Sequence, residues 1–238
     1  MKLHSWLLFA MLSPWAAGAN AATLTISPVS VFLNSGLNSA LLEVNNQESH
    51  QITLQARIYS WSQSMNEDVL APTTDIIMSP PIATIPAGGS QTFRLLLRPG
   101  AKADTGRERH YRILLDEIPA ASMEPTRVNF AMRSSIPVLV MPPKPAPSSL
   151  IWRAARDGSG AMIVTATNAS SAYDRIFELE VIHTDGSVHT GVMQGTNAYV
   201  LPHAQRQWAV PDENNVGSIR LNITTRNGKT EKTLPIGP

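Results

Sequence analysis

The chain has 238 residues, of which 43% are hydrophobic and 16% charged; its net charge is +1 and it contains no cysteine. That composition excludes a disordered chain and offers no basic stripe for a nucleic-acid backbone. It also excludes thiol chemistry, Cys-ligated zinc and disulfide stapling, so a length suited to two domains of about 100 residues each must be held by core packing alone.

The chain opens with Met1-Lys2, an apolar run from Trp6 to Leu12, and small residues ending Ala19-Asn20-Ala21. A basic start, a short apolar core and an A-x-A site describe a secretory signal peptide. The apolar run is too short for a membrane span, which needs about 20 residues. Cleavage is expected after Ala21, with Ala22 as second choice; removal of Lys2 takes the net charge from +1 to zero. No later segment is apolar for long enough to insert in a membrane, so export to an oxidising compartment such as the periplasm is the expected localisation.

Short alternating runs bounded by Pro, Gly, Asn and Ser follow. Leu24 to Ile26, Val29 to Leu33, Ser39 to Val44 and Ile52 to Trp61 read as strands. Ile76 to Ser79 stops at Pro80-Pro81, which marks an edge or corner because proline cannot donate to a ladder, and one of these bonds is a candidate cis peptide. Ala83 to Ile85 pairs again before a Pro-Ala-Gly-Gly turn. Thr92 to Arg98 and His110 to Ile118 complete the first set, with Arg94 and Arg98 on one face because their spacing is even.

Arg127 to Met141 carries two patterns. Val128, Phe130 and Met132 alternate with Arg127, Asn129, Ala131 and Arg133, so the first half has one apolar and one polar face. Val138 to Met141 is continuously apolar. Pro142 to Ser149, with four prolines in eight residues, reads as a stiff joint. A second all-β set follows, from Ala161-Asn168, Ile176-His183, Val188-Met193, Tyr199-Leu201, Arg206-Val210 and Ser218-Thr225 to Lys232-Leu234. Asp185-Gly186 and Asn227-Gly228 are hairpin signals. Strand number and turn spacing point to immunoglobulin-like sandwiches. The expected division is a signal peptide over 1–21, a first domain over 22–141, a linker over 142–149 and a second domain over 150–238.

Catalytic patterns are absent. There is no G-x-S-x-G, no phosphate-binding glycine loop and no H-E-x-x-H. His183 and His189 flank a hairpin and are read as exposed turn residues rather than a metal pair, since metal sites usually need three or four ligands; no metal and no cofactor are expected. Asp116 and Glu117 are neighbours at a strand end and face opposite sides, which suits a solvated end or a structural salt bridge rather than acid–base catalysis. Trp61, Trp152 and Trp208 are read as core or domain-edge residues. Arg94, Arg98, Arg112 and Arg133 sit on strands, where a guanidinium needs either an internal acid or a carboxylate supplied from outside.

The order of these segments resembles the periplasmic pilus-assembly chaperones of the chaperone–usher pathway. The residues that carry the resemblance are V-L-A-P and S-P-P-I-A-T-I-P-A-G-G-S-Q-T-F-R-L-L-L-R-P between Val69 and Pro99, Y-R-I-L-L-D-E-I-P from Tyr111 to Pro119, the alternating strand with V-L-V-M-P-P, and Y-V-L-P-H-A-Q-R-Q-W from Tyr199 to Trp208. It looks closest to the archaic branch that serves spore-coat-U-like pilins. The resemblance implies an all-β fold of two immunoglobulin-like sandwiches in a boomerang. It implies a non-enzymatic protein that lends an alternating strand to a pilin subunit lacking one, and delivers that subunit to an outer-membrane usher. The lent residues would be Val128, Phe130 and Met132.

One departure is plain. In the better-known branch an arginine on the first strand and a lysine on the lent strand hold the subunit's C-terminal carboxylate. Here Ser30 stands near the first position and Pro137 near the second, leaving Arg94, Arg98, Arg112 and Arg133 as replacements. An unpaired apolar strand is also prone to self-association, so the free form is expected either to dimerise or to leave Val128 to Met132 loose. The alternative reading is a secreted two-domain adhesin or structural pilus component.

Overall fold

A computed structural model of the chain describes residues 24–34, 36–64, 66–101, 107–119, 131–192, 198–210 and 217–237. The expected signal segment and the candidate donors Val128 and Phe130 lie outside these residues; Met132 lies within them. Strand is the dominant regular structure of the described residues, with no α-helix among them and a 3-10 turn at Pro99–Ala101.

The first half forms β1 (Leu24–Ser27), β2 (Val31–Leu33), β3 (Ser39–Asn46), β4 (Ile52–Ser64), β5 (Glu67–Pro72), β6 (Ile76–Ser79), β7 (Ile82–Ile85), β8 (Ser90–Leu97), β9 (Arg109–Ile118) and β10 (Arg133–Val140). Two sheets result, one in the order β1-β3-β8-β6 and one in the order β2-β10-β9-β4-β5, with β7 pairing β4. Their inner faces meet on Leu42, Val44, Phe93 and Leu95 from one side and Leu54, Ile113, Leu115 and Val138 from the other, all nearly free of solvent. The alternation read from the sequence generates this directly: in β8, Phe93, Leu95 and Leu97 are buried while Arg94 and Leu96 are exposed.

Pro80-Pro81 is a corner, as expected. β6 belongs to the first sheet and β7 to the second, so the chain changes sheet across these prolines, with a cis bond at Ser79-Pro80. A second cis bond, at Ser27-Pro28, separates β1 from β2 in the same way. Strand β5 had no sequence signal. It is an edge strand whose residues are mostly exposed on both faces, so no apolar alternation marks it.

The second half forms β11 (Leu150–Arg156), β12 (Met162–Asn168), β13 (Asp174–Ile182), β14 (Val188–Val192), β15 (Tyr199–Val200), β16 (Gln205–Val210), β17 (Ser218–Thr225) and β18 (Gly228–Gly237). They join in the order β14-β13-β17-β18-β11-β12-β16, with β15 on β13. Met162, Val164 and Ala166 from one side of this folded sheet pack against Ile176, Leu179, Val181 and Leu221 from the other. Trp152 is buried and stacks on Trp208, with ring centroids 5.9 Å apart. Among the described residues no strand pairing joins the two halves, and each has its own apolar core.

The β13–β14 hairpin turns at Asp185-Gly186, where Gly186 has φ +87, a left-handed conformation that a side chain resists. His183 corrects the sequence reading: it is 5% exposed rather than surface-lying, with its ring edge-on to His189 at 5.1 Å. The hairpin is closed by His183 N–H donating to Ser187 O at 2.9 Å.

Candidate functional site

Strand β9 has two faces with different fates. Tyr111, Ile113 and Leu115 enter the first core, so His110, Arg112, Leu114 and Asp116 face outward. On either side, β4 turns Arg57, Tyr59 and Trp61 outward, and β10 turns Ser135, Pro137 and Leu139 outward, since Ile58, Ile136 and Val138 are the core residues of those strands. This outward face meets the second half. Trp61 and Leu139 form a third apolar cluster with Tyr173, Ala198, Tyr199, Leu201 and Ala204.

Polar groups tie the same junction. The Gln63 side chain donates to Tyr199 O at 3.0 Å and accepts from Leu201 N at 2.9 Å, pairing with the backbone as a peptide would. Glu108 accepts from Tyr173 N at 2.8 Å and contacts His110 Nε2 at 3.1 Å. Arg206, 2% exposed, donates to Tyr199 O at 3.1 Å, to Asn66 O and to the Asp68 carboxylate. Removing one partner of a buried ion pair strands the other charge, which costs about 3–5 kcal/mol. Asp68→Ala is therefore expected to lower the unfolding free energy by that order in urea titration, because it leaves Arg206 and Arg112 without their acid.

Arg112 is the exceptional cation of this junction. It is 3% exposed and lies over the Trp61 ring at 3.7 Å and near the Tyr199 ring at 5.4 Å. Its Nη2 stands 3.8 Å from Asp68 Oδ2, an ion pair without a hydrogen bond, and its Nε and Nη2 find no hydrogen-bond acceptor among the described residues. Burial pulls the guanidinium down to about 10, against the attraction of Asp68, so it remains a cation at neutral pH. A second guanidinium, Arg175 from β13, lies 5.1 Å from the same Tyr199 ring, and its Nε is also buried without a partner. Asp68 is shared with Arg206, so the cluster holds more positive charge than its carboxylate neutralises. Unsatisfied buried N–H groups beside an excess of charge favour an anion with two acceptor oxygens.

The other arginines fall elsewhere. Arg94 is exposed opposite Leu41 and Ser79 on the far sheet of the first sandwich, and Arg98 is exposed just beyond the end of β8. Arg133 pairs with Asp116, which also accepts from Arg57 Nη2 at 2.5 Å. Asp116 thus takes the salt-bridge role read for it, although Arg57 was not among the partners read from the sequence. Ser30 approaches the Tyr199 hydroxyl at 3.5 Å. Pro137 lies directly opposite Arg112 in register. Arg175 and Tyr199 carry no local signal; they reach Arg112 only because the two halves fold together.

The edge of β10 is the other notable feature. It pairs with β9 from Arg133 to Val140, but with β2 only from Val138 to Val140. Among the described residues, Arg133 to Pro137 have no strand on that second side. Met132, just ahead of the strand, is partly buried and shares the parity of Ile136, Val138 and Val140, which are core residues.

Residues 23–146 match the family model described as pili and flagellar-assembly chaperone, PapD N-terminal domain. Among solved structures, the chain is similar to the CsuC–CsuE chaperone–tip adhesion subunit pre-assembly complex from archaic chaperone-usher Csu pili of Acinetobacter baumannii. The identity is 21% and the TM-score 0.66, over 91% of this chain and 100% of that one. It is similar also to the Salmonella enterica SafA pilin in complex with the SafB chaperone, at 18% identity and TM-score 0.61 over 90% and 97% of the two chains. The E. coli chaperone DraB matches at 18% identity and TM-score 0.57 over 91% and 97%. These likenesses show the fold, two β-sandwich domains. No curated protein sequence matches the chain.

Proposed function

The chain belongs to the pili and flagellar-assembly chaperone family, and from that premise we propose that it works in the periplasm as an archaic-branch chaperone, binding a pilin subunit by lending it a strand and passing it to an outer-membrane usher. The signal-like segment Met1 to Ala21 supports export. One observation carries the reading: the open edge of β10 from Arg133 to Pro137, continuous with the alternating run Arg127 to Met132. An open edge supplies main-chain hydrogen bonds to an added strand, while alternate side chains fill pockets in the partner. Val128, Phe130 and Met132 share the parity of the core-facing residues of β10, so a strand continued without a bulge extends the core's apolar row beyond the sandwich.

The carboxylate anchor is assigned to Arg112, supported by Arg175. Arg112 faces outward beside the open edge, carries unsatisfied N–H groups, and stands opposite the position where the family's other branch keeps a lysine. Arg133 is already engaged by Asp116, and Arg94 and Arg98 lie on the other sheet. The domain limits 22–141, 142–149 and 150–238 are retained as part of this reading.

The test is co-expression with a spore-coat-U-like pilin in a periplasm otherwise free of pilus chaperones. The chain is expected to protect the pilin from proteolysis and to co-elute with it at one to one. Equal pilin recovery with and without the chain would overturn the proposal.

A further inference from the structure

Strand β10 is thinly held at its first residues. Among the described residues, β9 is its sole partner strand from Arg133 to Pro137. A strand so held is prone to slip, and a slip of one residue turns every side chain to the opposite face. Two adjacent acids on β9 stand at this point. Glu117 N–H donates to Met132 O at 2.9 Å, and the Glu117 carboxylate accepts from Met132 N at 3.3 Å. Asp116, directly opposite Arg133 in register, accepts from Arg133 Nε on one oxygen and from Arg57 Nη2 at 2.5 Å on the other.

The Asp116 carboxylate is only 14% exposed, while its partners Arg133 and Arg57 are 62% and 40% exposed. It is a sheltered acid gripping three neighbouring strands, β4, β9 and β10, through two guanidinium groups. Burial pushes its carboxyl up, but the hydrogen bonds from Arg133 and Arg57 outweigh this and hold it below the usual range, so it is charged at neutral pH.

We propose that Asp116 is a positioning residue that locks the root of the lent strand, Met132 and Arg133, in register on β9, so that the residues ahead of it leave the sandwich with a fixed face. This rests on the strand-lending reading above. Asp116 touches no subunit itself; it acts through Arg133.

The experiment is hydrogen exchange on the free, full chain. In Asp116→Asn, the amides of Ser134 and Ile136, which point to β9 in this register, are expected to exchange about tenfold faster or more, while those of Phe93, Leu95 and Val164 keep their rates. Asp116→Glu, which retains a carboxylate, is expected to recover most of the protection. Unchanged exchange at Ser134 and Ile136, an equal acceleration throughout the first sandwich, or a Glu variant no better than Asn would overturn the proposal. If Asp116→Asn does not fold, Arg133→Met, which removes the exposed partner, carries the same test. Because no pilin is present, failure of the clamp and failure of the chaperone reading are scored separately.

Discussion

Replacing Phe130 and Met132 together by aspartate is expected to abolish capture of a pilin subunit while leaving the free chain folded. Each apolar side chain buried in a partner contributes about 1.5–3 kcal/mol, so two together account for about 3–6 kcal/mol, or roughly a hundred-fold to ten-thousand-fold in affinity. The carboxylates add the further penalty of burying a charge without a partner. The free chain is expected to tolerate the change because its first core is built from Leu42, Val44, Leu54, Phe93, Ile113 and Val138, and Met132, the one of the two that lies within the described residues, is not among its members. The check is pilin yield from the periplasm beside a urea titration of the variant alone. Normal pilin recovery with a folded variant would remove this strand from the mechanism, and an unfolded variant would return Met132 and Phe130 to the core of the first sandwich.

The second large effect is expected at Arg112, and its size differs between binding and stability. Arg112→Met keeps much of the side-chain volume on the Trp61 and Tyr199 rings but removes the cation. Truncating one side of a buried charge pair at an interface weakens binding by about 2–5 kcal/mol, so subunit affinity is expected to fall by tens to thousands of fold. The free chain, in contrast, sheds a buried cation with two unsatisfied nitrogens, while Asp68 keeps Arg206 and Gln63 as partners. Its unfolding free energy is expected to fall by less than in Asp68→Ala, because the desolvated cation is removed while Asp68 stays paired with Arg206. Arg94→Ala is the matched control: an exposed residue on the far sheet, expected to shift stability by no more than about 0.5 kcal/mol and to leave binding intact. Equal binding losses for Arg94→Ala and Arg112→Met would refute the anchor assignment.

These two predictions draw on different levels of the molecule. The first rests on the period of two in Arg127 to Arg133, which a two-faced strand writes into the chain; Val128 and Phe130 lie outside the described residues. The sandwich class was legible for the same reason: β3, β8 and β12 each bury every second residue. Strand β5 was not, since an edge strand exposed on both faces has no alternation to read. His183 was misread because hairpin flanks are usually wet, whereas here the residue is buried, with its ring edge-on to His189.

The anchor was beyond sequence reading. Four strand arginines looked equivalent because their surroundings come from residues far along the chain. Arg112 meets Asp68 and Trp61 from one half and Tyr199 from the other, and Arg175 joins from the second sandwich. Burial and charge at a junction depend on long-range packing, and no period or spacing encodes them. By itself, then, the sequence determined the all-β class and the family resemblance, which rest on local alternation and turn chemistry. Only the tertiary structure decided which edge of β10 is unpaired among the described residues and which guanidinium is buried beside it with N–H groups lacking an acceptor there, because both are set by which strands and which half of the chain come to lie next to β9 and β10.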